Sequence, residues 1–257
     1  MALARASGLS AIALTDHDTT EGVAAAISAA GCGPRVVAGC EVSAKVGPYH
    51  CHILVYFVSP RSAGILDLLE AMRDARRARN LEVLSRLKKH GLEITENELY
   101  EEAGGQAGGR PHIAALLVRK RYASDLADAF DRWIGEGRPA WVARPLPSVQ
   151  EILALATEDG CVASLAHPFR TASDPEELKG LVEELARLGL EGLEAHYGEY
   201  SPEQRAWLAR LASSVGLVAT GGSDYHGSYK PGLALGRGRG DLAVPDKVLS
   251  ELESRRG

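Results

Sequence analysis

Ala11-Ile12-Ala13-Leu14-Thr15-Asp16-His17-Asp18-Thr19-Thr20 is the stretch on which the reading of this chain turns. Its four leading apolar residues are too few for a helix and read as a buried strand. The strand stops at two carboxylates flanking an imidazole, groups that bind metal or move protons. Thr19 or Thr20 then offers a hydroxyl to a free backbone N–H at the start of an Ala-rich helix, Glu21 to Ala30. A strand that delivers chemistry at its C-terminal end and then feeds a helix is the unit of a parallel α/β sheet or barrel, where sites gather at that edge.

Working outward, the same device recurs. Upstream, Met1 to Ser10 reads as the tail of a helix stopped by Gly8. Downstream, Val36-Val37-Ala38 is expected to be a strand ending in Gly39-Cys40-Glu41. His50 to Phe57 is the next strand, with His50 and His52 on one face. Later strands, Cys161–Leu165, Leu190–Ala195 and Leu217–Thr220, lead into His167-Pro168, His196 and Asp224-Tyr225-His226. Helices are expected around Ile152–Ala156, from Asp174 to Leu188, over Pro202–Ser214 and in the charged tail Asp246–Arg255. Five strands are thus expected to end in Asp/His, Glu, His, His and Asp/His, with His52, at the start of its run, as the exception.

Residues 65–150 have another texture. Leucines from Leu66 to Leu87 recur at helical spacing, Gly91 closes that helix, and shorter helices follow near Glu96–Ala103, His112–Arg119 and Ser124–Trp133. The stretch is longer than an ordinary loop. The expected organisation is therefore an α/β barrel over residues 1–64 and 151–257, interrupted by an all-helical insertion over 65–150.

Composition narrows the partners. A net charge of −5 argues against a duplex DNA binder, so a phosphate-bearing substrate must be held by local cations or metals. Cys32, Cys40, Cys51 and Cys161 show no C-x-x-C spacing and read as small buried residues of a reducing compartment. Arg5 interrupts the N-terminal apolar stretch and no run reaches membrane-spanning length. A cytoplasmic protein with no membrane contact and no obligate protein partner is expected.

The candidate metal ligands are His17, Glu41, His52, His167, Asp224 and His226, with Asp16 and His17 as acid/base candidates. His50 is balanced between ligand and surface residue, and His196 ends a strand on the same rim. Arg110-Pro111-His112 opens a helix after a glycine stretch, which favours phosphate contact by Arg110 and His112. The arginines 73, 76, 77, 79 and 86 have acidic neighbours Glu70, Asp74 and Glu82 and read as an ion-paired, solvated face. Mixed His and carboxylate donors without thiolate suit Mn, Fe or Zn, and several ligands with Glu41 able to bridge suit a multinuclear hydrolytic centre.

Taken in order, Thr15-Asp16-His17-Asp18, Gly39 to Glu41, His52-Ile53-Leu54, Gly109 to His112, Ala166-His167-Pro168 and Gly222 to His226 resemble the motifs of the polymerase and histidinol phosphatase (PHP) superfamily. The branch it most resembles removes the 3′-phosphate from nucleoside 3′,5′-bisphosphates or trims short RNA from its 5′ end. The resemblance implies a distorted (β/α)7 barrel with up to three divalent metals, Mn foremost. It implies that Glu41 bridges two metals, that His52 and His167 complete one of these and Asp224 serves the other, and that His17 and His226 hold the third. Arg110 and His112 would contact the phosphate or sugar of a small nucleotide or short RNA. The family's opening strand, with Asp-Leu-His-x-His-Ser and a following Ser-Asp-Gly turn, falls before Met1. The first strand and three ligands are therefore expected to be missing, and a misplaced start is the favoured cause. The alternative expectation is a non-catalytic nucleotide- or metal-binding protein, or a degenerate member.

Overall fold

The structure, a computed structural model, describes residues 1–105, 108–227 and 230–256. The chain divides into two compact units, Met1–Leu69 with Leu146–Gly257, and Glu70–Pro145. The corresponding boundaries read from the sequence were 64/65 and 150/151.

The first unit opens with α1 (Ala2–Ala6) and β1 (Ala11–Leu14), and Gly8 between them adopts φ +68°. The helix α2 (Glu21–Ala30) follows, with Thr19 rather than Thr20 supplying the hydroxyl: Glu21 N–H donates to Thr19 Oγ1 at 3.2 Å. The next strand differs from the expectation. Instead of stopping at Glu41, β2 runs from Arg35 to Val46, and β3 (Tyr49–Tyr56) folds back along it. The two-residue connection works because Gly47 takes φ +52°. Glu41 and His52 are therefore interior residues of a hairpin, not strand ends.

A long helix, α3 (Ala63–Lys89), begins in this unit. The second unit continues with α4 (Glu96–Glu102), α5 (Arg110–Arg119) and α6 (Leu126–Ala129), the last running into a single π turn at Phe130–Ile134. Its core is made by Val83, Leu84 and Leu87 of α3 with Leu99, Ile113, Leu116, Leu117 and Ile134. A capping box holds the start of α4, where Thr95 Oγ1 accepts from Glu98 N–H and the Glu98 carboxylate accepts from Thr95 N–H.

The chain then returns to the first unit through α7 (Val149–Glu158), β4 (Val162–Leu165), α8 (Pro175–Arg187), β5 (Gly192–Tyr197), α9 (Pro202–Ser214), β6 (Val218–Gly222) and α10 (Lys247–Glu253). The six strands make one mixed sheet in sequence order, curled as an open half-barrel. Pairs β1/β2, β4/β5 and β5/β6 are parallel, whereas β3 runs antiparallel to both β2 and β4. The purely parallel βα rhythm expected from the sequence is thus broken once, at β3. Leu178, Leu181, Val182 and Leu185 line one face of α8 and are buried, as the 3.6-residue period requires.

Asp174 caps α8 by accepting from the N–H groups of Glu176 and Glu177, both at 3.0 Å. Asp174→Ala is expected to cost about 1 kcal/mol, seen as a lower urea midpoint with an unchanged m-value; an unchanged midpoint would show that the cap contributes nothing.

No helix among the described residues is long and apolar enough to cross a membrane. All four cysteines are free, and Cys32 is exposed rather than buried as expected.

Candidate metal centre

The hairpin explains how Glu41 and His52 meet. Ser43 stands opposite His52 and Leu54 opposite Glu41, so the four share one face of the sheet and Glu41 meets His52 on the diagonal. His52 Nδ1 lies 2.7 Å from Glu41 Oε1. His17 arrives from the other side. Beyond β1 the chain pairs again with β2: Glu41 N–H donates to Asp16 O and Asp18 N–H to Glu41 O, both at 3.0 Å. This isolated bridge sets His17 beside Glu41, with Nε2 3.6 Å from Oε2.

His167 comes from the end of β4. Ala166 N–H donates to His52 O, which continues the β3/β4 ladder by one residue and delivers the next side chain to Glu41. His167 Nε2 then sits 3.0 Å from Glu41 Oε1 and 3.1 Å from His52 Nδ1. His167 takes φ +29°, and Asp18 and Asp224 take +56° and +48°, so three of the five non-glycine left-handed residues among those described cluster at this edge.

A second cluster forms around Asp224, just past β6. Tyr197 O–H donates to Asp224 Oδ2 at 2.7 Å, the Lys230 ammonium pairs with the same oxygen, and His226 Nδ1 lies 3.1 Å from Oδ1. Rings link the two clusters, with centroids 4.8 Å apart for His17–His52, 5.0 Å for His52–His167 and 5.8 Å for His167–Tyr197. Asp16 completes the rim: Gly22 leaves room for its carboxylate, where a Cβ would stand 3.1 Å from Oδ2.

The electrostatics divide along the same lines. Burial pushes the Glu41 carboxyl up, yet hydrogen bonds from His167 and His52 and the charge of His17 outweigh it and hold the group well below the carboxylate range. Asp224 behaves alike: burial raises it, and His226, Lys230 and Tyr197 together bring it low. Asp16 goes the other way, raised by burial with His226 opposing.

One carboxylate oxygen, Glu41 Oε1, is approached by two imidazole nitrogens that lie 3.1 Å from each other. Ligand atoms of His17, Glu41 and His52 all fall within 4.8 Å of one another. His167 Nδ1 is buried with no hydrogen-bond partner among the described residues, so that ring's polar engagement is through Nε2 alone. Two or three nitrogens and a carboxylate converging this way form the donor set of a divalent transition cation, and the residues present fit one.

The structure thus gathers His17, Glu41, His52 and His167 in one cluster and Asp224 with His226 in the next. Arg110 and His112 lie in the unit of residues 70–145, at the N-terminus of α5, where Gly109 N–H donates to His112 Nδ1 at 2.9 Å. His50 is exposed opposite Lys45, and His196 has Arg205 and Lys247 as its charged neighbours. Sequence reasoning missed Tyr197, Lys230 and Glu194. Glu194 is buried on β5, and its Oε2 accepts from His167 N–H at 2.7 Å, which tethers the left-handed turn at His167. A lone acid inside the apolar run Leu193–Ala195 was the available signal. Tyr197 and Lys230 left none.

No family model matches the chain. It is 30% identical over 229 residues to the 5′-3′ exoribonuclease Rnm of Salmonella typhimurium, covering 88% of this chain and 78% of that protein. It is 28% identical over 270 residues to a 3′,5′-nucleoside bisphosphate phosphatase of Chromobacterium violaceum, covering 99% and 89%. A solved structure from Bifidobacterium adolescentis, assigned as a metal-dependent phosphoesterase, superposes with a TM-score of 0.82 at 30% identity, over 99% of this chain and 88% of that one. With this likeness running through both the sequence and the fold around a His/carboxylate centre, the chain belongs to the PHP-type metal-dependent phosphoesterases.

Proposed function

We propose that this chain hydrolyses phosphate esters on small nucleotides, nucleoside 3′,5′-bisphosphates in the first place and short oligoribonucleotides in the second. The observation that carries the reading is the convergence of His52 and His167 on one oxygen of Glu41, with His17 on the other. The names of the two curated relatives support the substrate class. Glu41, His52, His167 and His17 would hold divalent metal, Mn in our reading, and Asp224 and His226 would extend the centre toward a complement of up to three ions. A divalent cation bound there supplies Lewis acidity toward the phosphoryl oxygens and makes water a better nucleophile.

The chain's own groups do the rest. Glu41 and Asp224 stay ionised at neutral pH for the reasons given above, so both bring negative charge to the centre. Tyr197 and Lys230 both engage Asp224 Oδ2, which leaves Oδ1 beside His226. Asp16, raised by burial and close to His226, is placed to hold or pass a proton. In the helical unit, which we read as an insertion, Arg110 offers a guanidinium fork to a phosphate. His112 accepts Gly109 N–H at Nδ1, so its neutral ring carries its proton on Nε2, a donor for a phosphate or sugar oxygen. Four free thiols suit a reducing compartment, and we place the chain in the cytoplasm.

The direct test is phosphate release from adenosine 3′,5′-bisphosphate with Mn²⁺, beside the same reaction in EDTA. Turnover in Mn²⁺ that stops in EDTA is the expected result. Arg110→Ala is expected to raise KM by about 10- to 100-fold, the loss of one charge-assisted pair. Equal release with and without chelator, or no release from a folded, metal-loaded chain, would overturn the reading.

A further inference from the structure

Tyr197 has one hydroxyl hydrogen and two carboxylates within reach of it. Its oxygen lies 2.7 Å from Asp224 Oδ2 and 3.0 Å from Glu199 Oε2. Tyr197 is fully buried, with the Tyr200 and His167 rings against it at centroid distances of 4.8 and 5.8 Å. The oxygen is therefore held between the two acids, and only the hydrogen can swing. Each acid oxygen also carries a cation: Lys230 pairs with Asp224 Oδ2, and the Arg170 guanidinium with Glu199 Oε2. A carboxylate oxygen whose charge is offset by a cation draws less on the next donor, since it is the ionised acceptor that makes the strong hydrogen bond.

Arg170 is built into this position. It ends the short 3-10 turn Pro168–Arg170, where its N–H donates to His167 O at 2.8 Å. One turn thus carries both a member of the Glu41 cluster and the cation that engages Glu199. The guanidinium also lies over the Tyr197 ring, 5.5 Å from its centroid. With both cations in place Asp224 is the closer acid, and the hydrogen goes there. Without Arg170, Glu199 would bring an uncompensated charge to 3.0 Å from the phenol oxygen and draw the hydrogen away. Asp224 would then keep Lys230 and His226 but face a phenol lone pair at 2.7 Å instead of a donor.

We propose that Arg170 is a positioning residue of the metal centre: by holding Glu199 it keeps the Tyr197 hydrogen on Asp224, and so holds that carboxylate still for a divalent cation. The inference rests on the reading of Asp224 as a metal ligand given above. It adds two residues, Arg170 and Glu199, that neither ligate nor touch substrate in that reading. It also has a distinctive sign. By charge alone, removing a cation near a metal site favours the metal and removing an acid opposes it. The arrangement around Tyr197 demands the reverse in both cases.

The test is Mn²⁺ titration of the full chain without substrate, with free Mn²⁺ read by electron paramagnetic resonance. Asp224→Ala marks the binding step that depends on Asp224. Arg170→Gln is expected to weaken that step by about tenfold, the cost of losing an outer-shell partner, and Arg170→Lys to bind like the parent. Glu199→Gln added to Arg170→Gln is expected to restore binding, which a misfolded variant could not show. In a Tyr197→Phe background, already weakened, Arg170→Gln is expected to add nothing, because the coupling runs through the phenol. Unchanged or tighter Mn²⁺ binding by Arg170→Gln, no restoration by Glu199→Gln, or an equal further loss in the Tyr197→Phe background would each overturn the proposal. No Mn²⁺ binding by the folded parent would overturn it together with the metal centre. The expected binding pattern without turnover of adenosine 3′,5′-bisphosphate would support the role of Arg170 and sink the catalytic reading, so the two fail separately.

Discussion

Glu41→Gln is expected to lower phosphate-ester hydrolysis by a factor on the order of 10³ or more, because removing even an outer-shell partner of a metal ligand costs 10- to 100-fold and this carboxylate is approached by three imidazoles. The side chain is only 8% exposed. Glutamine keeps the shape and removes one full negative charge from beside His17, His52 and His167. The loss should therefore appear in metal content as well as in turnover. Steady-state kinetics and metal analysis after gel filtration measure both. A variant that retains its metal and stays within tenfold of the parent would move the centre away from Glu41.

Glu194 carries the second large effect, and its sign depends on what replaces it. Desolvation raises its carboxyl to about 8 from the ordinary 4.5, even though His167 N–H partly offsets this by donating to it. The unfolded chain gives up this proton above about pH 4.5, while the folded chain keeps it until about pH 8. The contribution to stability is thus fully present below 4.5 and is lost as pH climbs through 8, beyond which both states are ionised and no further loss accrues.

Glu194→Gln keeps an acceptor for His167 N–H and carries no charge. It should gain on the parent steadily between pH 5 and pH 8 in urea melts of EDTA-treated protein. Glu194→Leu leaves that buried N–H without an acceptor, which costs about 1–3 kcal/mol, and it should also weaken metal binding because the left-handed turn at His167 loses its tether. Parallel pH slopes for parent and Glu194→Gln would show that the carboxyl is already ionised in the folded state. Leu and Gln variants of equal metal affinity would show that His167 holds its place without help.

What the sequence determined by itself was local. Short apolar runs, capping residues and glycine breaks placed β1, α2 and α9 to the residue and most other elements within a few residues, β2 excepted, because strand length, N-cap chemistry and left-handed glycines act within a few residues. The candidate site residues were legible for the same reason: an acid or imidazole beside an apolar run is costly unless it has a use. Only the tertiary structure decided which of these residues meet. Glu41 and His52 approach through the antiparallel register of a hairpin that a parallel βα reading does not contain, and His196 and His50 carry the same sequence signal yet lie among cationic neighbours or at the surface. Arg79 and Arg77 stand two residues apart on one helix, but only the packing of residues 70–145 buries one among arginines and pairs the other with Glu96. Burial and long-range contact set the charge and the role of a side chain, and neither is a property of its neighbours in sequence.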